Sequence, residues 1–181
     1  MLPFAHIGIT LALFYIIARA FPKIRPHINY WYVLIGSMLP DIIDKPIGRF
    51  LFEDVFASGR IFAHTLLFVV VLSIVGYYLF RKRADAKVLM LAGGSLVHLV
   101  LDSMWKSPRT LFWPLMGWDF ARGSEYGSFR TYLAVVYKNL DKIGDPDMLF
   151  LFMEEILGLA VIMIFGIQYL RYRMKERKDG R

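Results

Sequence analysis

Five stretches of this chain are apolar over nearly the length of a bilayer crossing: residues 3–21, 30–43, 61–80, 86–105 and 148–170. A helix needs about 20 mostly apolar residues to cross the hydrocarbon core, and only helices and closed barrels satisfy their backbone polar groups there. The expected fold is all-α, a polytopic membrane helical bundle with about five transmembrane helices. Residues 1–181 are expected to form a single integral membrane domain. A hydrophobic content of 57% lies above the balance of soluble domains and agrees with this. The second stretch is short and carries Pro40, so it must tilt or end beside a cavity inside the protein. The opening Met1-Leu2-Pro3-Phe4 lacks the basic start and cleavage site of a signal peptide, and the first stretch is expected to be retained.

Charge then orients the bundle. The net charge of +7 is the kind of excess that nucleic-acid binders show, but its placement excludes nucleic acid as the partner. Arg19, Lys23 and Arg25 follow the first stretch, and Arg81, Lys82, Arg83 and Lys87 follow the third. A basic tail over 171–181 follows the fifth. Basic residues set beside spans fix topology and meet anionic lipid, so the expected partner is membrane lipid. The alternation predicts an N-terminus outside a cell membrane and a C-terminus in the cytoplasm. The long segment 106–147, with several glycines and prolines, is then extracytoplasmic and has the length of a lid. Trp105, Trp113 and Trp118 mark its start as interfacial.

Within these stretches lie ionisable residues that lipid does not tolerate cheaply. They are His6, Asp41 and Asp44, His64, His98 and Asp102, and Glu154 and Glu155. Each intramembrane charge costs a few kcal/mol, so it marks a functional site by default. In helices of alternating direction, all of them fall at the outer end. His98 and Asp102 are i, i+4 and share a face, while Asp41 and Asp44 are i, i+3. Arg60 stands four residues before His64 and reaches the same face if that helix starts early. Bland roles exist for each: His6 as an interfacial polar group, Asp41 as a cap, and His98/Asp102 as a polar pair joining two helices. Glu154 and Glu155 are adjacent, so one at most points inward. Shared depth is what the bland roles leave unexplained. Histidine and carboxylate without cysteine suit zinc, with manganese, iron or magnesium as alternatives.

Through Phe4-Ala5-His6, Gly36-Ser37-Met38-Leu39-Pro40-Asp41, Arg60 to His64, His98-x-x-x-Asp102 and Trp113-Pro114, the chain resembles the YdjM-like family of membrane-bound metal-dependent hydrolases. That family is distantly similar to zinc-dependent phospholipase C and the P1-type nucleases. The resemblance implies that Asp41, His64, His98 and Asp102 hold one metal. It implies further that Asp102 bridges to a second metal held partly by His6, and that Glu154 or Glu155 stands in for an acidic ligand from the last helix. The family's usual histidine before the arginine is Gly59 here, its threonine before the central histidine is Ala63, and the carboxylate pair is one residue wider. With four histidines, and His27 in a distant loop, one or two ions are expected rather than three.

The resulting expectation is a metal-dependent hydrolase of phosphoesterase or phospholipase type, acting on a lipid phosphoester at the outer membrane interface. Its metal lowers the pKa of bound water to about 7. Whichever of Asp41 and Asp44 does not ligate serves as base or orients the water, and Arg60 neutralises phosphate charge. The rival classes are a metal-ion transporter and a non-catalytic membrane protein whose polar layer holds helices together.

Overall fold

In a computed structural model of the protein, residues 3–52, 56, 58–120 and 146–179 are described. Helix α1 spans Pro3–Ala20, α2 Tyr30–Pro46, α3 Leu66–Arg83, α4 Lys87–Leu101, the short α5 Pro108–Leu111, and α6 Pro146–Asp179. No strand occurs among the described residues. Each of the five apolar stretches contributes one long helix, but the third helix starts five residues later than expected, at Leu66, and the fifth runs far past its expected end. The basic tail continues α6 as far as Asp179 instead of forming a separate segment. Residues 121–145, most of the expected lid, lie outside the described residues.

The lengths revise the reading of five spans. Among the described residues, two helical segments are both long and apolar enough to cross a membrane, Pro3–Ala20 and Phe152–Arg171. Helix α4 has 15 residues. Helix α2 has 17 and carries two prolines, two aspartates and a lysine in its last half. Helix α3 has 18, of which the last three are Arg81, Lys82 and Arg83. Those three cations sit at the helix's negative dipole end, where they are favourable, but they shorten its apolar part.

Local chemistry explains where the elements start and stop. Asn29 caps α2 by accepting from the Trp31 N–H at 3.1 Å, and Thr65 caps α3 by accepting from Phe68 N–H at 3.1 Å. The sequence pattern predicted a helix from residue 61, yet residues 58–64 form turns. Their backbone N–H groups point at Asp44 instead of up a helix.

Two seams hold the bundle together. Helices α2 and α4 meet backbone to backbone: a Cβ on Gly94 would lie 2.8 Å from the Gly36, Ser37 and Val33 main chains. Helices α1 and α6 meet in the same way, with a Cβ on Gly8 falling 2.4 Å from Gly158 Cα. Small residues allow such approach, which is how helices pack where lipid is as apolar as the side chains. Between the seams lies a core of Leu11, Phe14 and Val33, with Leu34, Val97 and Ile162 packed on it. Above that core, at the ends of α2 and α4 and the start of α1, the buried residues include a cluster of polar ones: His6, Ser37, Asp44, His64, Ser95 and His98.

Candidate metal centre

Pro40 prepares this polar layer. A proline inside a helix has no N–H to give the carbonyl four residues back, here that of Gly36. Ser95 Oγ, across the seam on α4, donates to that carbonyl at 3.2 Å. One residue further on, the Ser37 carbonyl accepts from His98 Nδ1 at 2.6 Å. The break in α2 is thereby satisfied by α4 and fixes the His98 ring.

His64 is held from the other side. Its Nδ1 donates to Asp44 Oδ2 at 2.7 Å, and both residues are fully buried. The Asp44 carboxylate also accepts the backbone N–H groups of Ile61 at 2.8 Å, Ala63 at 2.9 Å and His64 at 3.1 Å. It is therefore saturated, and it anchors the 58–64 turns that carry His64. Asp44 was expected as a possible base; the structure instead turns it away from the site behind His64. Such a carboxylate–histidine pair fixes the tautomer of a metal-ligating imidazole.

The consequence of both locks is electrostatic. Each Nδ1 faces an acceptor and must carry its proton, so each neutral ring presents a bare lone pair at Nε2. The two Nε2 atoms are 3.3 Å apart. Asp41 Oδ1 lies 3.7 Å from His64 Nε2 and 3.9 Å from His98 Nε2. Asp102 Oδ2 lies 3.9 Å and 4.0 Å from the same atoms. Two imidazole nitrogens and two carboxylate oxygens face one another here, and α2 and α4 both aim their negative dipole ends at the spot. Tetrahedral zinc with bonds of about 2.0–2.1 Å needs ligand atoms about 3.3 Å apart. Among Asp41, His64 and His98 the separations of 3.3, 3.7 and 3.9 Å approach that spacing. The residues form two groups able to hold a metal ion, Asp41/His64/His98 and His6/His98/Asp102. His98 belongs to both, but with Nδ1 committed to Ser37 it has one lone pair to give.

The surroundings supply incomplete neutralisation. Lys45 pairs with Asp41 Oδ2 at 2.6 Å, and Arg60 Nη2 pairs with Asp102 Oδ2 at 2.7 Å. Three buried or half-buried carboxylates (Asp41, Asp44, Asp102) thus face two cationic side chains. Arg60 reaches the site from the 58–64 turns, not from a helical face shared with His64 as expected. His6, at the start of α1, is 3.1 Å from Asp102 Oδ1 and packs against His98 at a tilt of 39°, with ring centroids 4.5 Å apart.

The last helix contributes differently from expectation. Glu155 accepts the N–H groups of Phe4 and Ala5, each at 3.1 Å, and so caps the start of α1. Both of its oxygens are used there. Glu154 is half-exposed on the same helix and belongs to neither ligand group. Among the expected aromatic residues, Trp113 packs with Phe62, Phe120 and Trp118, and Phe62 lies in the same turns as Arg60 and His64, with the Phe62–Phe120 centroids 5.0 Å apart. Trp105 stands apart and exposed. His27, set aside at the sequence level, packs edge-on against Phe80 far from the site.

Sequence reasoning missed Ser95, the Ser37 carbonyl and Lys45. Ser95 had a signal: it lies three residues before His98 and shares its helical face.

The chain matches one family model, described as YdjM inner membrane protein, over residues 1–178. The chain belongs to the YdjM family of inner membrane proteins. No curated protein and no solved structure matches it. Membership makes the protein a membrane protein, and it makes the cost of burying this polar layer that of a bilayer-embedded fold.

Proposed function

We propose that the chain is a membrane-embedded, metal-dependent hydrolase of a lipid phosphoester, with its site at the extracytoplasmic interface of the inner membrane. The observation that supports it most is the pair of locked imidazoles, Nε2 to Nε2 at 3.3 Å, with carboxylate oxygens of Asp41 and Asp102 within 4.0 Å. His64, His98, Asp41 and Asp102 would hold the ion, with zinc favoured by the nitrogen and oxygen donors and manganese, iron or magnesium as alternatives. When bound, such an ion lowers the pKa of a water and polarises a phosphoryl oxygen. His6 and Arg60 hold the Asp102 carboxylate in place. Arg60, with 46% of its side chain exposed, also has guanidinium N–H groups to offer a phosphoryl oxygen. Asp41 turns Oδ1 to the site as a ligand and holds Lys45 with Oδ2, while Asp44 accepts three backbone N–H groups and orients His64 from behind. The aromatic cluster around Trp113 and Phe62 offers the substrate's apolar part a surface.

The topology that goes with this reading has five membrane-embedded helices, the N-terminus outside and the basic end of α6 in the cytoplasm. Helices α2 to α4 then sit deeper in protein than in lipid, which accommodates their lengths. The transporter reading has less support, because Leu11, Phe14 and Val33 fill the bundle beneath the polar layer and no second polar layer continues the path among the described residues.

Metal content by mass spectrometry on detergent-purified protein tests the centre. One equivalent in the wild type, lost in His64→Ala and His98→Ala, is expected. Phosphate or phospho-headgroup release from phospholipid micelles, abolished in Asp102→Ala, is the expected activity. No metal after reconstitution with zinc, manganese, iron or magnesium overturns the reading, and metal flux into proteoliposomes favours the transporter.

A further inference from the structure

At the opposite end of the bundle a second feature stands apart from the metal centre. A cavity of about 580 Å³ opens between α1, α2 and α6. The α1–α6 seam is tight at Gly8 and Gly158, and the cavity occupies the space beyond it toward the basic end. Its wall is apolar: Leu11 of α1, Leu34 of α2, and Ile162 and Phe165 of α6. From Leu11 to Arg19 this wall extends about 12 Å along α1, at 1.5 Å per residue.

The rim is of another kind. Arg19 and Arg25 line it, both exposed, and no carboxylate is among the lining residues. Tyr15, Tyr30, Trp31 and Tyr169 complete it, with Trp31 edge-on to Tyr169 at 6.1 Å and Tyr30 against Phe165 at 5.4 Å. Tyrosine and tryptophan with one apolar and one wet end belong at headgroup depth. Two guanidiniums recognise a phosphate, and an apolar trough leading inward from them recognises a chain. A free anion would use the rim and leave the 12 Å wall uncovered. Next to the cavity, α6 turns Met163, Ile164 and Ile167 outward, so the cavity opens on a lipid-facing surface.

We propose that this cavity holds one phospholipid with an anionic headgroup, its phosphate at Arg19 and Arg25 and an acyl chain along the Leu11, Leu34, Ile162 and Phe165 wall. The site does not depend on the hydrolase reading. It lies at the other end of the bundle and shares no residue with the metal centre. The lipid there is a structural partner from the leaflet at the basic end, filling the space the α1–α6 packing leaves.

The test uses the full chain reconstituted in nanodiscs of phosphatidylcholine and phosphatidylglycerol in equal parts, released into mild detergent and weighed by native mass spectrometry. Wild type is expected to retain one phosphatidylglycerol in preference to phosphatidylcholine. Arg19→Gln/Arg25→Gln should retain it about 30-fold less, the worth of two cationic side chains against an anionic lipid. Gly166→Leu is the second variant: Gly166 lines the cavity, and a Cβ there meets nothing within 4 Å, so its side chain enters the space without a clash. It should lose the lipid with both arginines intact. Circular dichroism and gel filtration establish that each variant folds, and Gly166→Leu decides if the double variant does not. Equal retention of the two lipids, unchanged retention in the variants, or displacement of phosphatidylglycerol by millimolar inorganic phosphate would each overturn the proposal.

Discussion

The seam between α2 and α4 and the seam between α1 and α6 use the same device, glycine against backbone, for different ends. At the first, Gly36 and Gly94 bring the main chains together, and Ser95 and His98 then tie into carbonyls that Pro40 has loosened. At the second, Gly8 and Gly158 make contact, and one carboxylate, Glu155, caps the partner helix. The first seam sets the position of a chemical group to within a hydrogen bond. The second attaches one helix to another. Close approach alone gives adhesion, and cross-seam hydrogen bonds add register.

Four substitutions separate these roles, taken from the largest expected effect. Gly94→Leu forces a side chain into the α2 backbone, and because His98 and Asp41 lie on the two helices it parts, bound metal should fall to background. Retained metal in a folded Gly94→Leu protein would show that the seam does not position the centre. Asp44→Asn comes next. An amide keeps one oxygen but sets an NH2 either against the Ala63 N–H or against the N–H groups of Ile61 and His64, and metal affinity should drop about 10–100-fold, as for other groups behind a ligating histidine. Competition with a chelator measures it.

Gly158→Leu is the counterpart at the other seam. It should cost about 1–3 kcal/mol of stability, the range for overpacking, seen as a lower melting temperature, while metal stoichiometry stays at the wild-type value. Equal metal loss at both seams would erase the distinction drawn here. The smallest effect is expected for Ser95→Ala, which removes the donor to the Gly36 carbonyl. A single interhelical hydrogen bond in a membrane protein is worth about 0.6 kcal/mol, and thermal unfolding beside the wild type should register a change of that size.

The same contrast marks what could be read from the residues in order. The helical stretches, their alternation and the gathering of His6, Asp41, His64, His98 and Asp102 at one end follow from hydropathy and spacing, which are local. The division of labour within that set does not. Asp41 and Asp44 are both aspartates near the end of one helix; one faces two imidazoles and the other is consumed by three backbone N–H groups from residues 17 to 20 positions away. Glu155 is drawn to the start of α1 from 150 positions away. Arg60 reaches the site because residues 58–64 are not helical, and they are not helical because Asp44 captures their N–H groups. Each of these assignments depends on a tertiary contact that spacing does not carry.

Asp41, His64, His98 and Asp102 all lie between the start of α2 and the residue just past α4. Helix α6 supplies none of these four residues. Every group that locks the two imidazoles lies before residue 103, so the geometry of the layer is a property of the first four long helices and α6 is fastened beside it through Glu155.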